Sequence, residues 1–208
     1  MFLDSRDYAR FVHNLYEFND TAPALEFTRR NTHDPNVGHR KSYIRKRLVE
    51  IHGWVLMKDH YHMLISEIIE GGLVKFMTKI NIGYAKYYNE RYERHGHLFQ
   101  GKTKKIHIKN EVHFLYILHY LHLNPLDYLS GAAKWRERDK NTIKDTTKAL
   151  DYLDKYRWSS YIDYCGNRNF PSILTKNLFG SIFGNYGKII RDYLKDIEKS
   201  STTDFVLE

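Results

Sequence analysis

The chain has 208 residues with 42% hydrophobic and 28% charged side chains, the balance of a globular protein with a sizeable core rather than of a disordered chain. Lys and Arg outnumber Asp and Glu by 33 to 25, for a net charge of +8 and an isoelectric point near 9.3, a balance that permits a phosphate-rich partner but that a solvated basic surface gives equally well. The single cysteine, Cys165, excludes an intrachain disulfide and a cysteine-based zinc cluster, and the absence of a secretion signal or a bilayer-length apolar run argues for the cytoplasm.

In chain order, Tyr8, Phe11, Val12, Leu15 and Tyr16 recur at helical spacing and predict an amphipathic helix from Ser5 to about Phe18. A long connection rich in Pro, Gly, Asn and Asp follows from Asn19 to His39, ending in the basic run His39-Arg40-Lys41. Leu48–Met57 and His60–Ile65 read as two strands of a hairpin interrupted at Lys58-Asp59. Beyond Gly71-Gly72, apolar and aromatic residues from Leu73 to Tyr88 mark a long helix to about Glu93. A further strand is predicted over His97–Ile108, carrying Lys102, Lys104 and Lys105, and then a helix capped by Asn110 and stopped by Pro125. Lys134–Lys148 reads as a charged loop, and helical patterns cover Leu150–Tyr164 and Leu174–Glu198, the second broken near Gly184. The tail from Ser200 reads as disordered.

Alternation along a strand puts the imidazoles of His60 and His62 on one face and Tyr61 on the other, so two potential metal ligands share a face. A His-x-His pair alone is a weak sign, and the chain holds a second one at His95 and His97 beside a glycine, where alternation is not assured. In the helix before Pro125, Phe114, Ile117, Leu118 and Leu121 form one buried stripe, and His113, Tyr116, Tyr120 and Asn124 align along another. On these residues alone, Tyr120 is one tyrosine among 17 and Asn124 a helix-ending residue before proline. Phe99 and Trp54 could stack on bases, with core packing the stronger expectation for both.

Four ordered segments alter that balance. WVLMKDHYHMLI (Trp54–Ile65), GHLFQGKTKKIHI (Gly96–Ile108), YLHLNP (Tyr120–Pro125) and RWSSY (Arg157–Tyr161) resemble the signatures of HUH single-tyrosine transposases, especially the branch associated with repetitive extragenic palindromes. The resemblance implies an α+β fold in which a ferredoxin-like antiparallel sheet with packed helices carries the histidine pair. It assigns 1–128 to the catalytic domain, leaving a helical C-terminal extension over 129–199 and the tail over 200–208. The family's usual first strand precedes a Phe-Leu-Asp segment that stands here at Phe2-Leu3-Asp4, so that strand is expected to be missing, and Lys58-Asp59 replaces its usual Pro-Asn.

Carried onto this sequence, the resemblance makes Tyr120 the nucleophile, His60 and His62 metal ligands and Asn124 the third ligand for a divalent cation, Mg²⁺ or Mn²⁺, with Zn²⁺ an artefactual occupant. Lys102, Lys104 and Lys105 are expected to track a DNA backbone, and His113 or His122 to help move the tyrosine proton. The implied activity is a transposase that nicks and rejoins single-stranded, hairpin-bearing DNA through a 5′-phosphotyrosine, acting as a monomer or homodimer. A non-catalytic DNA-binding protein of the same fold and an HUH replication initiator or relaxase are the alternatives. The YLHLNP and RWSSY segments favour transposition over replication.

Overall fold

A computed structural model describes residues 1–23, 45–101, 103–138 and 142–199. Most of the predicted connection after Asn19, the basic run at 39–41, Lys102 and the tail from Ser200 lie outside the described residues. Within them the fold is mixed α+β, as expected, with a two-stranded antiparallel sheet and seven α-helices. These are α1 (Ser5–Glu17), β1 (Val49–Leu56), β2 (Tyr61–Glu67), α2 (Gly72–Arg91), α3 (Glu111–Leu123), α4 (Thr146–Lys155), α5 (Tyr161–Tyr164), α6 (Asn177–Phe183) and α7 (Tyr186–Lys199).

The chain divides into two compact units. Of the described residues, the first holds 51–64 and those from Lys104 to Lys199, and the second holds those within 2–50 and 65–103. In the second unit Asp4 caps α1 by accepting from the Arg6 and Asp7 amides. The α1 face of Phe11, Val12 and Leu15 is buried, as are Phe76, Ile80 and Tyr84 of α2. The fully buried Asp7 is paired with Arg91 at 2.6 Å and takes hydrogen bonds from the Tyr87 and Tyr92 hydroxyls, so its charge is matched rather than stranded. Asn19 fastens the start of β1, its carboxamide bonding the Leu48 and Val49 amides and the Val49 carbonyl.

The first unit is built round β1, a strand buried along nearly its whole length, which explains its continuous apolar run in place of alternation. On the edge away from β2, Trp158 and Ser160 pair with it: the Leu56 amide donates to Trp158 O and the Ser160 amide to Trp54 O, each at 2.9 Å, around an antiparallel bridge between Val55 and Ser159. The segment Arg157–Tyr161 therefore acts as an edge cover for the sheet, and it divides the helix predicted over Leu150–Tyr164 into α4 and α5.

Two other expectations are corrected. Among the described residues, His97–Ile108 forms no strand: Gly96 and Gly101 turn the chain at positive φ, and Ile106, 79% exposed, has no face to pack on. Pro125 does not stop the helix outright. It opens a 3₁₀ turn, Asn124–Tyr128, that continues α3, since proline's fixed φ and missing N–H are tolerated in a first turn. The rest of the C-terminal half follows the pattern, with α6 and α7 divided at Gly184, φ +51°.

Candidate active site

Three of the residues singled out from the sequence come together in the first unit. The Lys58-Asp59 turn is closed by the Met57 amide donating to His60 O at 2.8 Å, and β2 then starts at Tyr61. The rings of His60 and His62 stand edge to face with centroids 5.0 Å apart. Tyr120 approaches from α3, its ring 6.1 Å from that of His62. Two features of the sequence permit this approach. Gly53 on β1 lets α3 lie close, for a Cβ there would meet a Leu118 methyl at 3.0 Å. The turn itself is tied to the 3₁₀ segment by the Lys58 amide, which donates to the Tyr128 hydroxyl at 2.8 Å.

Burial, helped by the nearby charges of His60 and Arg136, pulls the His62 imidazole down to about 4, so it is neutral at physiological pH and keeps a lone pair for a cation. Asp59 Oδ1 lies 2.7 Å from His60 Nδ1. This contact fixes a proton on Nδ1 and leaves Nε2 as the ring's acceptor nitrogen, the arrangement that outer-shell carboxylates give to metal-bound histidines. The hydrogen bond to His60 in turn holds the Asp59 carboxyl below its ordinary range. The substitution of Lys58-Asp59 for Pro-Asn thus gives His60 a carboxylate partner.

Asn124 is buried, and both ends of its carboxamide are engaged: Nδ2 donates to Tyr120 O at 2.7 Å, and Oδ1 accepts from Arg136 Nη2 at 2.7 Å. Arg136 is the participant that the sequence reading missed. It is ion-paired with Asp127, and its guanidinium lies 5.4 Å from the centre of the Tyr120 ring and 4.5 Å from that of Trp135. Burial opposes its charge, but hydrogen bonds to Asp127 and Tyr120 outweigh this and hold the guanidinium above its ordinary range. The available signal was a lone tryptophan in a charged stretch. Trp135 is fully buried, donates to Asp127 at 3.0 Å and anchors the 3₁₀ turn Trp135–Glu137.

The remaining expectations separate. Trp54 is fully buried beside Phe170 and Phe99 packs 6.3 Å from Tyr84, so both serve the core. Lys104 and Lys105 are exposed on the extended segment, and His95 and His97 are exposed as well. His113 is half-buried near the start of α3. His122 is no candidate for moving the tyrosine proton: it is fully buried, with its ring nitrogens bound to the Tyr186 hydroxyl at 2.9 Å and the Ser160 hydroxyl at 2.7 Å. That bridge ties α3 to α7 and to the edge segment beside β1, holding the tyrosine helix in place.

Burial drives His122 well below the ordinary imidazole value and His119, on the same turn, down to about 4. Both are neutral when folded and take up protons near pH 6.5 when unfolded, so stability is full above about 6.5 and falls as the pH drops toward the folded values. Chemical unfolding between pH 6.5 and 5 should therefore show a loss of up to about 2.7 kcal/mol per pH unit from these two protons, to which His62, lowered in the same sense, adds. A flat profile across that window would contradict their burial in neutral form.

Two neighbouring imidazoles, one of them held neutral, suit a divalent cation, and the Asn124 oxygen would complete a mixed N and O donor set of the kind Mn²⁺ accepts. Among the described residues no group of three or more His, Cys, Asp and Glu side chains is arranged to hold a metal, so the fit rests on this pair with an amide. Among the described residues no helix is long and apolar enough to cross a membrane.

Compared with known proteins, residues 37–123 match the family described as Transposase IS200 like. No curated protein and no solved structure matches. The matched span ends one residue before Asn124, so Asn124, Asp127 and Arg136 lie outside it. That span encloses the hairpin and the helix that bring the histidine pair to Tyr120, and over it the chain is similar to the IS200-like transposases.

Proposed function

We propose that this chain is a transposase that nicks and rejoins single-stranded, hairpin-bearing DNA, with Tyr120 as the attacking group. The supporting observation is the convergence of Tyr120 on the His60–His62 pair, with ring centroids at 6.1 and 5.0 Å. In the proposed step the Tyr120 oxygen bonds to phosphorus and gives up its proton, while the P–O3′ bond breaks and the departing strand leaves as a 3′-hydroxyl. The product is a 5′-phosphotyrosine. Attack by a second 3′-hydroxyl reverses the exchange and reseals the DNA without external energy, because one phosphodiester replaces another.

His60 and His62, with Asn124 as third ligand, would hold Mg²⁺ or Mn²⁺, which when bound polarises the scissile phosphate and stabilises charge building on its oxygens. Asp59 orients His60, and Arg136 lies against the Tyr120 ring. The exposed Lys104 and Lys105 supply charge for the strand's backbone, and the reaction takes place in the cytoplasm, on one chain or in a homodimer. The test is covalent capture: a labelled single-stranded hairpin incubated with protein and Mg²⁺ or Mn²⁺ should give a denaturant-resistant adduct. No adduct with either ion, together with retained DNA binding, would leave the non-catalytic DNA-binding reading in its place.

A further inference from the structure

The oxygen assigned to a cation is already held by a cation of the protein's own. Arg136 carries donors only and Tyr120 O is an acceptor only, so their two 2.7 Å bonds leave the Asn124 carboxamide a single orientation, with Oδ1 toward the guanidinium. Arg136 is itself braced on three sides, by the Asp127 carboxylate, by the Trp135 ring at 4.5 Å and by the Tyr120 ring at 5.4 Å. Its place is thus set by a buried tryptophan together with a partly exposed ion pair.

We propose that Arg136 is a positioning residue of the Tyr120 site that competes with the divalent cation for Asn124 Oδ1. This rests on the assignment of Asn124 as third ligand. A guanidinium and a divalent cation cannot share one carbonyl oxygen without strong like-charge repulsion, so uptake of the ion requires Arg136 to release Asn124. Asp127 and the two rings keep Arg136 beside Tyr120 when it does so. Cation binding and the setting of the nucleophile are thereby coupled through one side chain.

Calorimetric titration of the full chain with Mn²⁺, without DNA, tests the competition. Arg136→Met should bind Mn²⁺ roughly tenfold more tightly than the parent, in the range by which outer-shell residues alter metal affinity. In an Asn124→Ala background the same change should have no effect, because the contested oxygen is gone. Arg136→Gln, which is neutral and keeps a polar amide, serves as a second variant should Arg136→Met fold poorly by thermal melting, and it should gain affinity in the same sense. A gain of equal size in both backgrounds would reveal general charge repulsion and overturn the proposal. Unchanged or weaker Mn²⁺ binding in the Arg136 variants, or no Mn²⁺ binding by any variant, would overturn it as well. Adduct formation by the parent is read separately, so failure of the nuclease reading is distinguishable from failure of the competition.

Discussion

Tyr120→Phe should abolish the covalent DNA adduct, a loss of roughly a thousandfold or more, since removal of a nucleophile leaves only the residual effects of binding and electrostatics. Tyr116→Phe should leave adduct formation largely intact. The two tyrosines lie one turn apart on α3 with rings 6.2 Å from each other, yet their surroundings differ. Tyr120 faces His62 and Arg136, whereas Tyr116 packs toward Tyr193 and lies under Arg138. Burial also pushes the Tyr116 hydroxyl above the ordinary phenol range, which disfavours it as an attacking oxyanion. Loss of one hydroxyl from the half-buried Tyr120 removes no core volume, so the melting temperature and DNA affinity of Tyr120→Phe should match those of the parent. Mass spectrometry of nuclease-trimmed adduct should locate the nucleotide remnant on Tyr120; a remnant on Tyr116 would overturn the assignment.

The part of this site that could be read from the sequence was the part with a local period. Strand alternation put His60 and His62 on one face, and the three-to-four spacing put Tyr120 and Asn124 one turn apart. Neither pattern could reveal what meets the far end of α3. There the helix is surrounded: Leu118, His119, Leu121, His122 and Leu123 are all buried, so a one-sided stripe gives way to burial all round and His122, which looked available, becomes structural. The same limit hid Arg136. Its partners Asp127, Asn124 and Tyr120 lie 9, 12 and 16 residues upstream, and a chain reversal through the Trp135 turn brings them together, a tertiary event that leaves no periodic trace. The strand expected at His97–Ile108 failed for the converse reason. Alternation of lysine and isoleucine is present, but a strand requires a partner edge, and the edge of β1 away from β2 is taken by Trp158–Ser160.

The edge cover also explains why a serine-rich segment 37 residues downstream belongs with the tyrosine helix. Ser160 receives the Trp54 amide at 3.0 Å and bonds His122, so β1 and α3 are held to each other through one hydroxyl. The proposed attack by Tyr120 beside the histidine pair would need such rigidity, because displacement of about an ångström from attacking geometry is expensive in rate.

His60→Ala and His62→Ala should each reduce cleavage by at least about a hundredfold while changing single-strand affinity by no more than about threefold, since phosphate contacts by basic side chains dominate affinity and neither imidazole need supply one. The two variants should differ in a revealing way. His60 is half exposed and carries Asp59 as its partner, so its removal frees a surface carboxylate, and raised Mn²⁺ should recover part of the activity. His62 is more enclosed, edge to face with His60 and against Tyr120, so its loss removes a ligand and a wall of the nucleophile's setting together, and added Mn²⁺ should recover less. His95→Ala and His97→Ala change exposed side chains and should leave cleavage at the parent rate. Single-turnover cleavage of a labelled hairpin across a Mn²⁺ series measures all four variants. Full cleavage in both His60→Ala and His62→Ala would remove the pair from the mechanism, and loss of cleavage in His95→Ala or His97→Ala would move the cation site to that second pair.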